Sequence, residues 1–509
     1  MNANVGRFLH DWALRDPERT GILDSERGQI RYSYAELDRE ACRVAGHLRS
    51  RGLGLSDRVA IWTGNGVPFV AAWFGAAYAG CTTLPIPVMS TAREIAFRLQ
   101  HARCKALLTD TERFPLAQES QVRAGGSTVL LSIEDALAGD VSEEAPCQIP
   151  ADALAMLLYT SGTTGAAKGV CITHGSLGAH TRALAEHTLE LTSEDRILGT
   201  LPLSHSYGLR TTLLAPFCAG ASTVLVQRFS APLTLELCTT HRVTWIPSVP
   251  TMLVAWANER SGPAPPALRW CLSAGAPLLE EVRRRAEDRL GAPVRQGYGL
   301  TEANLAAINA PPDRLVEGSS GKPVPGVTLR IANDSGKELP TGERGEVLIR
   351  GQNVMAGYLD DKLASAHVMR GGWLHTGDIG FVDAEGRLSI VDRSKDLILR
   401  GGASIYPSEL ENVFADHSAI DDVAVVGVPH DYYGEEVIAV VVRSAKVTAE
   451  ALDAWVRGRL APYKVPRGYA FIESMPEGPS GKTMKRVLRD QLVAGEIQIE
   501  RLRDHGTAD

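Results

Sequence analysis

Tyr159-Thr160-Ser161-Gly162-Thr163-Thr164-Gly165-Ala166-Ala167-Lys168-Gly169 sets glycines, hydroxyls and one lysine directly behind the apolar run Leu154 to Leu158. The apolar run reads as a buried strand and the small residues after it as a loop. Small residues let backbone N–H groups converge on an anion, and the lysine adds a positive charge. The ligand this predicts is a nucleotide triphosphate. The Gly-x-x-x-x-Gly-Lys-Ser/Thr spacing of a Walker A loop fails here, so the cradle is of another kind. On this stretch alone, a Gly/Ser/Thr-rich surface turn is the plain alternative.

Outward from the loop, helical and strand patterns alternate. A helix from Tyr34 to Arg51 precedes a strand from Arg58 to Trp62, and a helix from Ala92 to Ala102 precedes a strand from Ala106 to Thr109. Ser222 to Val226 and Thr244 to Pro247 read as strands buried on both faces. Such alternation predicts an α/β fold of parallel-rich sheets covered by helices. Thr328 to Ile331 and Gly345 to Arg350 alternate instead, around turn residues Asn333 to Gly336, and predict a smaller antiparallel layer. After Asp392 an α+β pattern follows: helix Pro407 to Ala415, strands Asp421 to Pro429 and Glu436 to Arg443, helix Thr448 to Leu460, and strand Gly468 to Phe471. The expected organisation is a large N-terminal domain, residues 1–392, and a small mobile α+β C-terminal domain, residues 396–509, with a hinge near 393–396.

The chain has 509 residues, 44% hydrophobic and 22% charged, with a net charge of -7 and no basic block. That profile argues against nucleic acid as a partner. None of the eight cysteines forms a C-x-x-C pair, which argues against a zinc site and fits a reducing, cytoplasmic setting. Val59 to Ala92 carries no charge. Asn65-Gly66, Pro68, Gly80, Pro85 and Pro87 break it into strand, buried helix and strand, so no membrane span is expected.

Further segments carry chemistry. Gln296-Gly297-Tyr298-Gly299-Leu300-Thr301-Glu302 reads as a second glycine-bearing loop ending in a carboxylate fit for a magnesium ion. Trp373-Leu374-His375-Thr376-Gly377-Asp378 reads as an acid on a turn, and Ser480-Gly481-Lys482 as a lysine on a flexible tip. In this order and spacing the set resembles the adenylate-forming (ANL) superfamily of acyl- and aryl-CoA synthetases, firefly-type luciferases and peptide-synthetase adenylation domains.

The resemblance implies two half-reactions: a carboxylic acid and ATP give acyl-AMP and pyrophosphate, and a thiol then takes the acyl group. It implies that Thr160 to Gly165 and Lys168 bind the β- and γ-phosphates. Thr301 touches the α-phosphate and Glu302 binds Mg2+. Tyr298, within Gln296 to Gly299, lies against adenine opposite Gly275-Ala276-Pro277. Asp378 and Arg393 hold the ribose. Lys482 bridges the substrate carboxylate and ATP, and Lys395 is the hinge. Gly401 and Gly402 line the tunnel for the thiol arm. Ala403 and Ser404 follow them where relatives commonly carry Glu and Asn.

The acid pocket implied by the resemblance contains His205, Ser206, Tyr207, Arg210, Ser248, Val249, Ser273 and Ala274, with His205 beside the carboxylate. Ser206 stands where amino-acid-activating relatives place an aspartate, which disfavours α-amino acids. Arg210 is a candidate reader of a second carboxylate; an arginine paired within the fold is the plainer reading. The partners expected are a small carboxylic acid and CoA. A carrier-protein phosphopantetheine and a non-thiol nucleophile are the alternatives to CoA.

Overall fold

The uncharged stretch after Val59 forms strand Arg58–Trp62, helix Val67–Ala79 and strand Thr82–Pro85. Every residue of that helix except Pro68 is buried, which explains an apolar run without amphipathic spacing. Among the described residues no helix is long and apolar enough to cross a membrane. The computed structural model describes residues 2–501 apart from 26–29, 142–145, 161–166, 334, 394–395, 397, 401–402, 431–432, 458, 461 and 479–482.

Among the described residues four sheets form. The largest has nine strands. Its middle is parallel: Val294–Leu300, Trp270–Ser273, Trp245–Ser248, Arg196–Gly199, Ser222–Leu225 and Thr20–Asp24 lie side by side. Antiparallel strands Asn304–Ile308 and Ile30–Ser33 flank them. The second sheet has seven strands and is parallel from Leu154–Thr160 through Thr82–Pro85, Arg58–Trp62 and Ala106–Thr109 to Val129–Ser132. Parallel strands are buried on both faces, and Thr82–Pro85, Ala106–Thr109 and Trp245–Ser248 are buried throughout.

The third sheet is antiparallel. Val327–Ala332 pairs with Gly345–Gly351 in unbroken register, and Asn333 Oδ1 ties the turn between them by accepting from the Ser335 and Lys337 amides. Here one expectation is corrected. Asp378 is not on a turn: it lies inside the ten-residue strand Trp373–Val382, paired on both edges with Gly345–Gly351 and Leu388–Arg393. Gly377, with φ at +70°, marks irregular pairing rather than a reversal, because the neighbouring strands carry the ladder past it. Likewise Gln296 to Leu300 is strand, not loop, and only Thr301 to Ala303 turn.

The C-terminal sheet spans Ile398 to Arg501, with Ile420–His430 and Gly434–Arg443 as its long antiparallel pair. Helices Pro407–Ala415 and Ala449–Arg457 cover one face and helix Lys485–Ala494 the other. Both clusters draw their buried residues only from Ile398 onward, so this region has its own core, separate from the large sheets.

Candidate functional site

The glycine-threonine run joins two antiparallel strands, Leu154–Thr160 and Lys168–Thr173, with Thr160 opposite Lys168. Ser161 to Gly165 themselves lie outside the described residues. Lys168 Nζ stands 5.0 Å from the ring centroid of Tyr358, a cation–π distance. Tyr358 reaches there because Gly357–Tyr358 adds a short strand to the hairpin's edge, opposite Cys171 and Val170. The Tyr358 hydroxyl donates to Glu302 Oε1 at 2.9 Å. Burial, reinforced by Glu302, raises the phenol above its ordinary range, so it remains a donor at neutral pH. Lysine, tyrosine and acid thus form one line from the hairpin to the turn at Glu302.

A second line runs through the antiparallel sheet. Tyr298 donates to Asp378 Oδ2 at 2.6 Å, and both residues are buried. The Asp378 amide donates to Thr376 Oγ1 at 3.0 Å, and Thr376 in turn donates to the Val347 carbonyl at 2.7 Å. The backbone of Arg393 lies directly across from Asp378; its side chain is outside the described residues. Gly297 and Tyr298 pair with Ile308 and Ala307, and Gln296 with Ser273. Gly299 must be glycine for a packing reason, since a Cβ there would stand 2.0 Å from the Asn304 carbonyl oxygen. Gly275, Ala276 and Pro277 follow the strand end at Ser273, with Gly275 and Pro277 exposed.

A small cavity is lined by Pro85, Leu158, Tyr159, His205, Ser206 and Thr301, among others. It draws on both large sheets. His205 Nε2 is buried without a partner. Burial, and then the nearby Arg98, push the His205 imidazole below its ordinary value, so it is neutral at pH 7. Ser206 accepts from Asn304 Nδ2 at its hydroxyl, 2.7 Å, and at its carbonyl, 3.2 Å. Tyr207 donates to the Leu272 carbonyl at 3.1 Å and Ser248 to the same carbonyl at 3.0 Å. Those hydroxyls stiffen the sheet end, whereas Ser273 Oγ is buried with no partner. Val249 is half-buried and Ala274 buried beside them.

Arg210 is 1% exposed. Its Nη1 donates to His180 Nδ1 at 3.0 Å, and His180 Nε2 donates to the Leu305 carbonyl at 2.8 Å. Guanidinium cannot accept, so the imidazole proton sits on Nε2. Among the described residues no carboxylate pairs with Arg210. Burial pushes its pKa down to about 9, and burial followed by the Arg210 charge pushes His180 to about 3.

Lys482, Lys395, Gly401 and Gly402 lie outside the described residues, as do the side chains of Ala403 and Ser404. Sequence reasoning missed Tyr358, Arg98, Asn304 and His180. None sits in a glycine-rich or charged motif; each reaches the site through pairing or packing with distant chain.

The AMP-binding enzyme family model matches residues 9–359, and the AMP-binding enzyme C-terminal domain model matches residues 409–482. A long-chain-fatty-acid–CoA ligase of Bacillus subtilis (strain 168) is 32% identical, over 96% of this chain and 95% of that protein. The crystal structure of ATP-bound MatB from Rhodopseudomonas palustris superposes with a TM-score of 0.91 at 32% identity, over 97% of this chain and 99% of that one. The o-succinylbenzoate CoA synthetase MenE of Bacillus subtilis, in complex with its acyl-adenylate intermediate, superposes with a TM-score of 0.86 at 31% identity, covering 95% and 98%. The chain belongs to the AMP-binding enzyme family.

Proposed function

We propose that this AMP-binding enzyme converts a carboxylic acid and ATP to an acyl-adenylate and pyrophosphate, then passes the acyl group to the thiol of CoA. The observation that carries the reading is the cavity at His205, Ser206 and Thr301, together with the Lys168–Tyr358–Glu302 and Tyr298–Asp378 lines on the elements that lead into and out of the Gly297 to Glu302 segment. Relatives named as CoA ligases and a neighbour holding an acyl-adenylate support it.

In the first step a carboxylate oxygen attacks the α-phosphorus, the α–β phosphoanhydride bond breaks, and pyrophosphate leaves. Charge gathers at the α-phosphate, so positioned cations and N–H dipoles do most of the work. Thr160 to Gly165 and Lys168 hold the leaving phosphates, and Thr301 holds the α-phosphate. Asp378 accepts both ribose hydroxyls, a task suited to two carboxylate oxygens. Tyr298 fixes the Asp378 carboxylate from behind through the 2.6 Å bond. Neutral His205 donates its ring N–H to the reacting carboxylate without adding a charge.

Glu302 fits a magnesium site. Its Oε1 takes the Tyr358 proton, and among the described residues no cation pairs with it. Mg2+ needs only one or two carboxylates when phosphates complete its shell, and it neutralises the triphosphate charge. In the second step the CoA sulfur attacks the acyl carbon, AMP leaves, and the thiol proton goes to solvent. Residues 396–509 swing about Lys395 between the steps, withdrawing Lys482 and bringing Gly401 and Gly402 to the thiol arm.

The test is a pyrophosphate-release screen over alkanoic, aromatic, dicarboxylic and amino acids, followed by CoA or a phosphopantetheinyl carrier protein as acceptor. Acid-dependent release and a CoA thioester are expected. Release without any acid dependence rejects the reading, and a thioester formed only on the carrier corrects the acceptor.

A further inference from the structure

We infer that Asn65 is the positioning residue of His205, clamping from the opposite sheet the turn that carries the imidazole to the cavity. The inference rests on the adenylation reading and adds a residue to it. Its starting point is how His205 is held. Among the described residues no hydrogen bond reaches the His205 ring, and Nε2 is buried without a partner. The ring is therefore placed by its backbone, the turn from Leu201 to His205 that follows strand Arg196–Gly199. Inside that turn the His205 amide donates to the Pro202 carbonyl at 3.1 Å. The strand has ended there, so the turn's other buried polar groups need partners from elsewhere.

Asn65 supplies them. It lies between Gly64 and Gly66, past the end of strand Arg58–Trp62 in the seven-stranded sheet. Its Nδ2 donates to the Leu201 carbonyl at 2.9 Å, and its Oδ1 accepts from the Leu203 amide at 3.0 Å. Leu201 and Leu203 are buried, so both groups lose their partner if the side chain is removed. A carboxamide answers an acceptor and a donor together, whereas a carboxylate only accepts. Nδ2 also stands 3.4 Å from the Val226 carbonyl, just past strand Ser222–Leu225. The clamp thus runs from one large sheet to two strand ends of the other. Downstream, Asn304 Nδ2 donates to Ser206 at its hydroxyl and its carbonyl. The segment is therefore pinned on both sides of His205, by one sheet at Leu201 and Leu203 and by the other at Ser206. Ser204, His205 and Ser206 line the cavity, and Asn65 does not, so Asn65 acts through the turn. An imidazole that donates to a carboxylate must sit within hydrogen-bond reach of it, and a misplacement of about 1 Å can cost on the order of 100-fold in rate.

The experiment is a double-mutant cycle on acid-dependent pyrophosphate release, with wild type, Asn65→Ala, His205→Ala and the double variant. Asn65→Ala is expected to lower kcat by about 30-fold, with KM for ATP held within about threefold. In the His205→Ala background the same change should cost less than about threefold, because the ring it places is gone. A loss of equal size in both backgrounds, or a His205→Ala variant that keeps the full rate, overturns the inference. Should Asn65→Ala not fold, Asn65→Asp enters the same cycle: it keeps the shape and the acceptor for Leu203 but sets an acceptor against the Leu201 carbonyl, and the same outcomes decide. A second readout needs no turnover. The imidazole NMR resonance that His205→Ala deletes should titrate below 6.5 in wild type, because burial and then Arg98 lower it, and its midpoint should rise toward 6.5 in the Asn65 variant. An unchanged midpoint overturns the inference. If no acid releases pyrophosphate, the adenylation reading fails, and this titration alone decides whether Asn65 places the ring.

Discussion

On the nucleotide side of the site, Tyr298 donates to Asp378 at 2.6 Å and Tyr358 donates to Glu302 at 2.9 Å. On the acid side, His205 Nε2, Ser273 Oγ, Asn304 Oδ1 and Arg210 Nε are buried with no partner. The first arrangement is preorganised: each acid is already held by a neutral donor. The second leaves polar atoms bare, at about 1–3 kcal/mol each, a cost that a bound acid with matching groups offsets.

The largest effect is expected at Lys482, the residue proposed to bridge the acid and ATP. Lys482→Ala should lower acyl-adenylate formation by on the order of 10²–10³, since it removes charge where charge develops. ATP affinity measured by equilibrium binding should stay within a few-fold; a loss of binding as large as the loss of rate would move Lys482 into ground-state recognition. Asp378→Ala comes next. It removes two charged acceptors and the hydrogen bond from Tyr298, so KM for ATP should rise by about 10- to 100-fold. KM for the acid should hardly move, and an equal rise in both would erase the contrast between the two sides.

Acid should loosen the fold around His180 and His174. The His180 pKa is near 3 in the fold against an ordinary 6.5, and that of His174 is near 4. Above pH 6.5 both imidazoles are neutral folded or unfolded, and no penalty arises. Below it the unfolded chain binds protons that the fold refuses, so stability falls until the folded values are reached. The slope is up to about 1.4 kcal/mol per pH unit for each group. Urea midpoints at pH 7 and pH 5 measure it, with His180→Gln removing its share; a flat profile contradicts the burial of these rings. Smallest is Tyr358→Phe, which deletes one hydrogen bond to Glu302 and should cost about 1 kcal/mol. It should appear as a several-fold higher Mg2+ requirement in initial-rate titrations, and an unchanged requirement would detach Tyr358 from the metal.

The same contrast governs what could be read in the sequence. The phosphate hairpin and the Gly-Tyr-Gly strand are contiguous, and their residue types are dictated by close backbone approach, as at Gly299. The parallel sheets were legible because doubly buried strands are uncharged and mostly apolar. Asp378 was misread because Thr376-Gly377-Asp378 has turn chemistry, and only pairing on both edges keeps it extended. Tyr358 is 56 residues from Glu302 and His180 is 30 from Arg210, so their contacts arise from sheet order and helix packing. Arg210 was visible as a charge, but its lack of an acidic partner is a tertiary fact.

The central claim is that the acid is activated as an adenylate before any thiol is engaged. ATP–pyrophosphate exchange with the preferred acid and no CoA tests it most directly. The account predicts exchange that depends on the acid and proceeds without CoA. Exchange that appears only after CoA is added, or that runs equally without acid, contradicts it.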